Sequence, residues 1–234
     1  RDEDDWPLPD TRFTRYYLRS ASRANTAHGA GWLSTEPPDD ERADVYLYDP
    51  LDPVPTIGGQ TLLPPARMPA NAGPRDQRAL DERADILFFT TPPLEHDTEV
   101  TGPVELVLFI SSSARDTDFT GKLVDVHPSG RAEILTDGVL RVRYRKSFED
   151  PELMEPGEIY EIKVDMQATG NVFKAGHRIR LEISSSSFPR WDRNTNTGND
   201  IASDGEADVE VAVNRVYHDR EHRSHLILPL IERQ

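Results

Sequence analysis

Residues 160–166, Tyr-Glu-Ile-Lys-Val-Asp-Met, alternate between apolar or aromatic side chains and charged ones. A period of two places the apolar residues on one face of a β-strand and the charged residues on the other. A helix would instead need apolar residues three or four positions apart. The stretch therefore predicts a strand with one buried and one solvated face, and it decides the fold because the pattern recurs along the chain.

Three more segments alternate in the same way: residues 139–145, 178–183 and 208–214. Two segments are more continuously apolar, which suits central strands buried on both faces: residues 104–110 and 119–126. Four shorter segments are further strand candidates: residues 13–18, 45–48, 86–90 and 226–230. Together they predict roughly ten strands, more than one sheet usually holds without folding onto a second.

Turn-forming dipeptides separate several of these segments: Ser129-Gly130, Asp137-Gly138, Pro156-Gly157 and Asp204-Gly205. Such pairs are typical of antiparallel hairpins. A short helical candidate covers residues 77–84, and no internal repeat is visible at the ~20–50-residue periods of solenoids and propellers. The sequence therefore predicts an all-β, two-sheet sandwich or jelly roll with long loops, in which residues 50–74 form a surface excursion.

The chain carries 27 basic and 42 acidic residues, a net charge of −15, which disfavours nucleic acid and anionic membranes as partners. It has no cysteine, so disulfides, thiolate nucleophiles and cysteine-ligated zinc are excluded, and we expect a cytoplasmic protein. The acidic, proline-interrupted start predicts that residues 1–11 are a connector from a longer polypeptide. Residues 12–234 are then expected to form a single domain.

A serine hydrolase of the α/β type carries its nucleophile on a sharp turn with the pattern G-x-S-x-G, and this sequence contains no such turn. The serines at 111–113 and 184–187 each follow a predicted strand without flanking glycines. We expect their hydroxyls to bond to nearby backbone groups. The sequence therefore assigns no catalytic residue to this chain.

Two segments resemble metal sites. His218, Glu221 and His222 match the H-x-x-E-H zinc pattern and are followed by His225, but the segment between the flanking strands is too short for a supporting helix. We expect a solvated hairpin loop there, with an autonomous zinc hydrolase as the alternative. Residues 192–198 alternate oxygen donors as calcium loops do, but Ser203 occupies the twelfth position, so Asx turns are expected. No metal and no cofactor is predicted.

Carboxylate pairs are the next candidates for chemistry, at Asp116/Asp118 and Asp39/Asp40. Because the chain has 42 acidic residues, such pairs arise by chance and we expect them on the surface. Seven aromatic residues could build a sugar-stacking platform, which makes a carbohydrate-binding module a second alternative. We expect them instead in core or interdomain packing: Trp6, Trp32, Trp191, Tyr46, Tyr48, Phe188 and Tyr217.

Several stretches, taken in order, carry a resemblance to a known family. They are D-W-P-L-P at 5–9, D-V-Y-L-Y-D-P at 44–50, D-P-V-P at 52–55, G-G at 58–59, V-T-G-P-V at 100–104, D-T-D-F-T-G-K-L-V-D-V at 116–126 and I-S-S-S-S-F-P-R-W-D-R-N at 183–194. In these stretches the chain is similar to the carboxyl-terminal domain of the cocaine esterase and X-Pro dipeptidyl-peptidase family of serine hydrolases. The resemblance spans nearly the whole chain.

The resemblance implies a galactose-binding-like jelly roll that packs on an α/β-hydrolase domain and a helical cap, which together hold the catalytic Ser, Asp and His. It also implies that the loop after Gly58 and Gly59 approaches the acyl pocket. Leu63 and Pro64 are therefore our candidates for contact with a small acyl ester or amide substrate. The esterase that gives the family its name has an aromatic residue at the position aligned with Pro64, so the resemblance does not imply a benzoyl preference for this chain. Relatives associate through this domain, which implies a homodimer.

Overall fold

The computed structural model describes residues 5–29, 31–61, 72–200 and 202–231, which form eleven strands and two short 3₁₀ turns. The strands are β1 (Thr11–Ser20), β2 (Gly31–Ser34), β3 (Asp44–Tyr48), β4 (Leu87–Thr90), β5 (Thr98–Ser112), β6 (Asp118–Val126), β7 (Ala132–Arg141), β8 (Tyr160–Phe173), β9 (Arg178–Ser184), β10 (Ala212–Tyr217) and β11 (His225–Ile231). The 3₁₀ turns cover Arg78–Leu80 and Val142–Tyr144.

The strands make a sandwich of two layers. In one layer the long strand β5 pairs with β8 along one edge and with β10 and β11 along the other, and the layer continues to β3, β1 and β2. The second layer has the order β4-β9-β6-β7. A single parallel pairing of Trp32 with Thr90 joins β2 to β4. The predicted two-sheet all-β fold is confirmed.

The core lies between these layers. Alternate residues of β5 and β8 point into it, among them Leu106, Leu108 and Val164, and meet side chains of β6 and β9 such as Phe119 and Leu181. All five are at most 1% exposed. The alternation in residues 160–166 therefore has the expected cause, since its apolar side chains, apart from half-buried Tyr160, are buried and its charged ones face solvent.

Strand β6 is central, as its apolar run predicts: it pairs with β7 on one side and β9 on the other, and every residue is buried. The prediction for residues 139–145 is wrong. β7 ends at Arg141, and Val142–Tyr144 turns into a 3₁₀ segment. The backbone leaves the sheet there because Asp116 accepts hydrogen bonds from the main chain and guanidinium of Arg143.

The hairpin turn expected at Asp137-Gly138 does not exist, because both residues lie inside β7. The turn at Ser129-Gly130 is confirmed, since the Gly130 amide donates to His127 O at 2.9 Å between β6 and β7. The helical candidate at residues 77–84 shrinks to three residues. Strand β2 has no counterpart among the predicted segments. Within the described residues, no helix is long and apolar enough to cross a lipid bilayer.

Candidate functional site

The two residues predicted to contact substrate, Leu63 and Pro64, lie outside the described residues. The structure does describe both ends of the loop that carries them, residues 54–61 and 72–77, which we call the loop stem. This stem crosses the outer face of the second layer, from the end of β9 to the edge of β7.

Backbone hydrogen bonds fix the stem to the sheet at both ends. Phe188, just after β9, donates to Val54 O at 2.9 Å and accepts from Thr56 N at 2.8 Å. At the other end, Gln77 N donates to Ala132 O at 2.7 Å, so residues 75–77 extend the sheet beyond β7. The two arms of the stem meet where Gly59 and Gly73 exchange hydrogen bonds of 2.9 and 3.0 Å. The loop therefore leaves a rigid base.

The glycine pair at the tip of the stem is required by its backbone. Gly58 and Gly59 have φ of 72° and 79°, in the left-handed region that side chains disfavour. A Cβ on Gly58 would lie 2.6 Å from Gly73 O, and one on Gly59 would lie 3.1 Å from the Arg190 guanidinium. The two glycines thus turn the chain tightly against the layer below.

Serine hydroxyls that follow β9 link this segment to the stem. Ser186 Oγ accepts from Val54 N at 2.9 Å, and Ser187 Oγ bonds to Thr56 Oγ1 at 3.1 Å. In the other cluster, Ser112 Oγ accepts from Ala114 N at 3.0 Å. The expected bonding to nearby backbone is confirmed for Ser112 and Ser184. The hydroxyls of three other serines bond instead to side chains distant in sequence: Ser111, Ser185 and Ser187.

Beneath the stem lies a buried polar row that the sequence did not reveal. Lys122 on β6 is directly opposite Glu182 on β9 and Asp137 on β7, so the three side chains share the outer face. Each is at most 3% exposed. Lys122 Nζ donates to the Gln77 side chain at 3.3 Å, and Arg190 Nη1 donates to both oxygens of Asp137 at 2.6 and 2.8 Å. The signal available in the sequence was a lysine inside an apolar run.

Burial is the largest cause of the pKa shifts of the three side chains in this row. It raises the pKa of Glu182 from 4.5 to about 6, although nearby Lys122 opposes the shift. It also lowers the pKa of Lys122 and raises that of Asp137, against the effect of Arg190. Both carboxylate oxygens of Glu182 lack a hydrogen-bond partner. The row is covered by the stem, and we assign it to holding the loop rather than to chemistry.

The expectation that Asp116 and Asp118 lie on the surface is wrong. They are 0% and 3% exposed, and they pair with Arg143 at 2.8 Å and Arg141 at 2.9 Å. Asn194 donates to both carboxylates, at 2.9 and 2.7 Å. A carboxylate in the interior needs such partners, which is why two arginines follow on the adjacent β7 and the turn after it. Asp39 and Asp40 are exposed, as predicted.

The zinc-like pattern lies in a hairpin loop, as expected, but the expectation that the whole segment is solvated is wrong for His218. His218 pairs with Arg223 across the loop and is fully buried, with Nε2 at 2.9 Å from Asp44 Oδ2. His222 lies within the loop against Asp219, at 3.1 Å, and His225 begins β11. Among the described residues, the cluster of potential metal ligands does not include these histidines.

Side chains of the calcium-like loop form hydrogen bonds with other residues of the same loop. Asn194 Oδ1 accepts from Asn196 N at 2.9 Å, which is an Asx turn, and Thr195 and Thr197 both donate to Asp204. The Asx-turn interpretation is therefore confirmed.

The aromatic residues do not assemble into one platform. Tyr46 and Tyr48 are 3% and 1% exposed, which confirms their expected place in the core. Three of the others carry an arginine over a ring face: Arg19 on Trp32 at 5.6 Å, Arg190 on Trp191 at 4.7 Å and Arg193 on Phe188 at 5.2 Å.

The outer face of β3 exposes apolar side chains. Val45 and Leu47 are 42% and 59% exposed, and Leu51 and Val211 nearby are 55% and 54% exposed. In the described structure β3 pairs with β10 and no strand pairs with its other edge, where Asn25 Nδ2 donates to Val45 O at 2.9 Å.

Comparison with known proteins yields one family and several relatives. The family of the X-Pro dipeptidyl-peptidase C-terminal non-catalytic domain matches residues 1–227. Cocaine esterase of Rhodococcus sp. (strain MB1 Bresler) is 52% identical over 233 residues, which cover 100% of this chain and 40% of that protein. The chain therefore spans less than half the length of this curated relative.

Two solved structures share the fold. An aminopeptidase from a marine sediment Thaumarchaeota archaeon superposes with a TM-score of 0.87 and 27% identity, covering 99% of this chain and 39% of that one. An α-amino acid ester hydrolase superposes with a TM-score of 0.81 and 29% identity, and the match covers 93% of this chain and 36% of that one.

Proposed function

This chain belongs to the family of the X-Pro dipeptidyl-peptidase C-terminal non-catalytic domain, and from this premise we propose that it is the non-catalytic β-sandwich of a serine hydrolase. The sandwich packs on an α/β-hydrolase domain with its helical cap. Esters, amides and X-Pro peptides are the substrate classes of the whole enzyme. The family match over residues 1–227, in a sequence without G-x-S-x-G, carries this proposal.

The contribution of this chain to catalysis is to present the loop between residues 60 and 72 to the substrate cleft. The rigid stem supports this role, because a loop that lines a pocket must be held against a scaffold to keep its geometry. Leu63 and Pro64 stay our candidates for contact with the acyl group of the substrate.

Hydrolysis of a p-nitrophenyl acyl ester tests the proposal. We expect no turnover by the purified chain and turnover once it is joined to a hydrolase domain that carries the G-x-S-x-G serine. In the joined enzyme, Leu63→Ala should change KM more than kcat, because it removes substrate binding. Turnover by the chain alone that is abolished by substituting one of its own residues would overturn the proposal.

We also propose that two copies associate through β3. Its position at the edge of the described sheet and the exposed Val45 and Leu47 support this, since edge strands with apolar faces favour pairing. Light scattering should find a dimer that Leu47→Lys converts to a monomer, and a monomeric unaltered protein would contradict the proposal. A cytoplasmic location, and the division into a connector at 1–11 and one domain at 12–234, stay predictions.

A further inference from the structure

Three potential metal ligands meet at one end of β6 and β9, one strand away from the point where Asp76 of the loop stem pairs with Glu133 on β7. Asp125 lies near the end of β6, His127 directly follows β6, and His177 immediately precedes β9. One ligand atom of each side chain lies within 4.8 Å of the ligand atoms of the other two. We call this group the histidine cluster.

The pairing of β6 with β9 brings these residues together. The antiparallel register pairs Asp125 with Ile179 and Val126 with Arg178, so the next positions are His127 and His177. Their ring centroids are 4.4 Å apart. The His127 amide donates to Arg131 O at 2.8 Å, so His127 continues the extended course of β6, and its side chain lies on the same face as that of Asp125 two positions earlier. The D-x-H spacing was the signal in the sequence, but only the register supplies the second histidine.

Carboxylates already face both imidazoles. His177 Nδ1 lies 2.8 Å from Asp125 Oδ1, and His127 Nε2 lies 3.2 Å from Glu133 Oε2 on β7. The Asp125 and His177 side chains are 10% and 15% exposed, whereas that of His127 is 30% exposed. The cluster is thus partly desolvated yet open to solvent on the His127 side, so an ion can enter. Beside the cluster, Arg131 forms an ion pair with Glu133 Oε1 at 2.5 Å.

We propose that Asp125, His127 and His177 bind a zinc ion. Two imidazoles and a carboxylate are a preferred donor set for Zn²⁺, with bonds of about 2.0–2.2 Å. Tetrahedral geometry with such bonds places donors roughly 3.3 Å apart, so small side-chain rotations close the cluster around the ion. Water or Glu133 completes the coordination. The ion would link the β6-β7 hairpin to the turn before β9.

Zinc titration of the full chain, purified without a histidine tag and stripped with chelator, tests the proposal. We expect one Zn²⁺ per chain by calorimetry and a higher melting temperature with Zn²⁺ than with chelator. Mg²⁺ should do neither, because it prefers oxygen ligands. Co²⁺ in place of Zn²⁺ should give the visible absorption of a tetrahedral site.

Substitutions identify the ligands. His127→Gln, at the exposed side of the cluster, should weaken Zn²⁺ binding about a hundredfold or more, since even indirect partners of a metal contribute 10–100-fold. The matched control His28→Gln changes an exposed histidine in the loop between β1 and β2 and should leave binding unchanged. If the first variant does not fold by circular dichroism, His177→Asn replaces it. Absence of stoichiometric Zn²⁺ binding, or equal binding by the unaltered protein and the folded variant, overturns the proposal.

Discussion

Gly121 and Gly138 lie opposite each other on β6 and β7 and let the other layer approach closely. A Cβ on Gly138 would overlap the carbonyl oxygen of Asp165 on β8, and one on Gly121 would lie 3.0 Å from Met166 Sδ. Glycine is needed at these two positions because the other layer leaves no room for a Cβ atom, and not because the backbone has an unusual conformation. The consequence is local tight packing that no larger residue reproduces.

Gly138→Ala tests this packing argument. The added methyl group meets backbone rather than a movable side chain, so the free energy of unfolding should fall by about 2–3 kcal/mol. Gly170→Ala on β8 is the matched control, since its Cβ finds only Thr101 atoms near 4 Å. It should lower the free energy of unfolding by less than about 0.5 kcal/mol, or raise it, because alanine gives the unfolded chain less conformational entropy than glycine does. Chemical denaturation measures both, and similar losses would contradict the account.

The raised pKa of Glu182 should make the free energy of unfolding depend on pH. Its native pKa of about 6 lies above the ordinary 4.5, so the folded state binds the proton more tightly than the unfolded state. Stability contributed by this group is therefore present below pH 4.5 and is lost as the pH rises to about 6, by roughly 2 kcal/mol.

Glu182→Gln removes this titration. Between pH 4.5 and 6 the variant should lack the part of the decline that Glu182 causes, so its stability relative to the unaltered protein rises with pH. Urea denaturation at several pH values measures the difference. A constant difference across this range would show that Glu182 titrates normally.

At the scale of elements, the loop stem is held by the segment that follows β9. Phe188 binds the stem through its backbone, and two residues later Arg190 forms a buried ion pair with Asp137 on β7. The side chains are 10% and 1% exposed, so this pair is shielded from solvent. One short segment thus fixes the stem to two strands.

Arg190→Met should destabilise the protein by about 3–5 kcal/mol, because it leaves the Asp137 carboxylate buried without its cation. The pKa of Asp137, already raised by burial, should rise further. The double variant Arg190→Met/Asp137→Asn removes the charge as well and should recover most of the loss. Thermal unfolding of the three proteins measures this, and a double variant as unstable as the single one would contradict the ion-pair explanation.

Elements with one clear period were predictable, and those shaped by buried charge were not. The alternation of residues 160–166 predicts β8 because one face meets the core. The alternation continues to Arg145, yet β7 ends at Arg141. The hydrogen bonds from Arg143 to Asp116 draw the backbone out of the sheet, and the sequence does not show this tertiary contact. The Asp137-Gly138 pair has the chemistry of a turn, and only the approach of β8 explains why it lies in a strand.

For the whole molecule, the sequence predicted the two-layer sandwich, and this prediction followed from local patterns of alternation. The site was less accessible. The loop after Gly58 and Gly59 was predicted only from the resemblance to the family. The Lys122 row and the histidine cluster depend on how β6 is aligned with β7 and β9, and the sequence does not show this register. Asp118 was misplaced because its partner Arg141 is distant in sequence.

The central claim is that the sandwich supports a hydrolase without supplying its nucleophile. Labelling with a fluorophosphonate probe, followed by peptide mass spectrometry, tests it most directly. We predict no labelled serine within residues 1–234, alone or joined to a hydrolase domain, and one labelled serine in that domain. A stoichiometric, activity-dependent label on a serine of this chain, such as Ser184 or Ser186, would contradict the account.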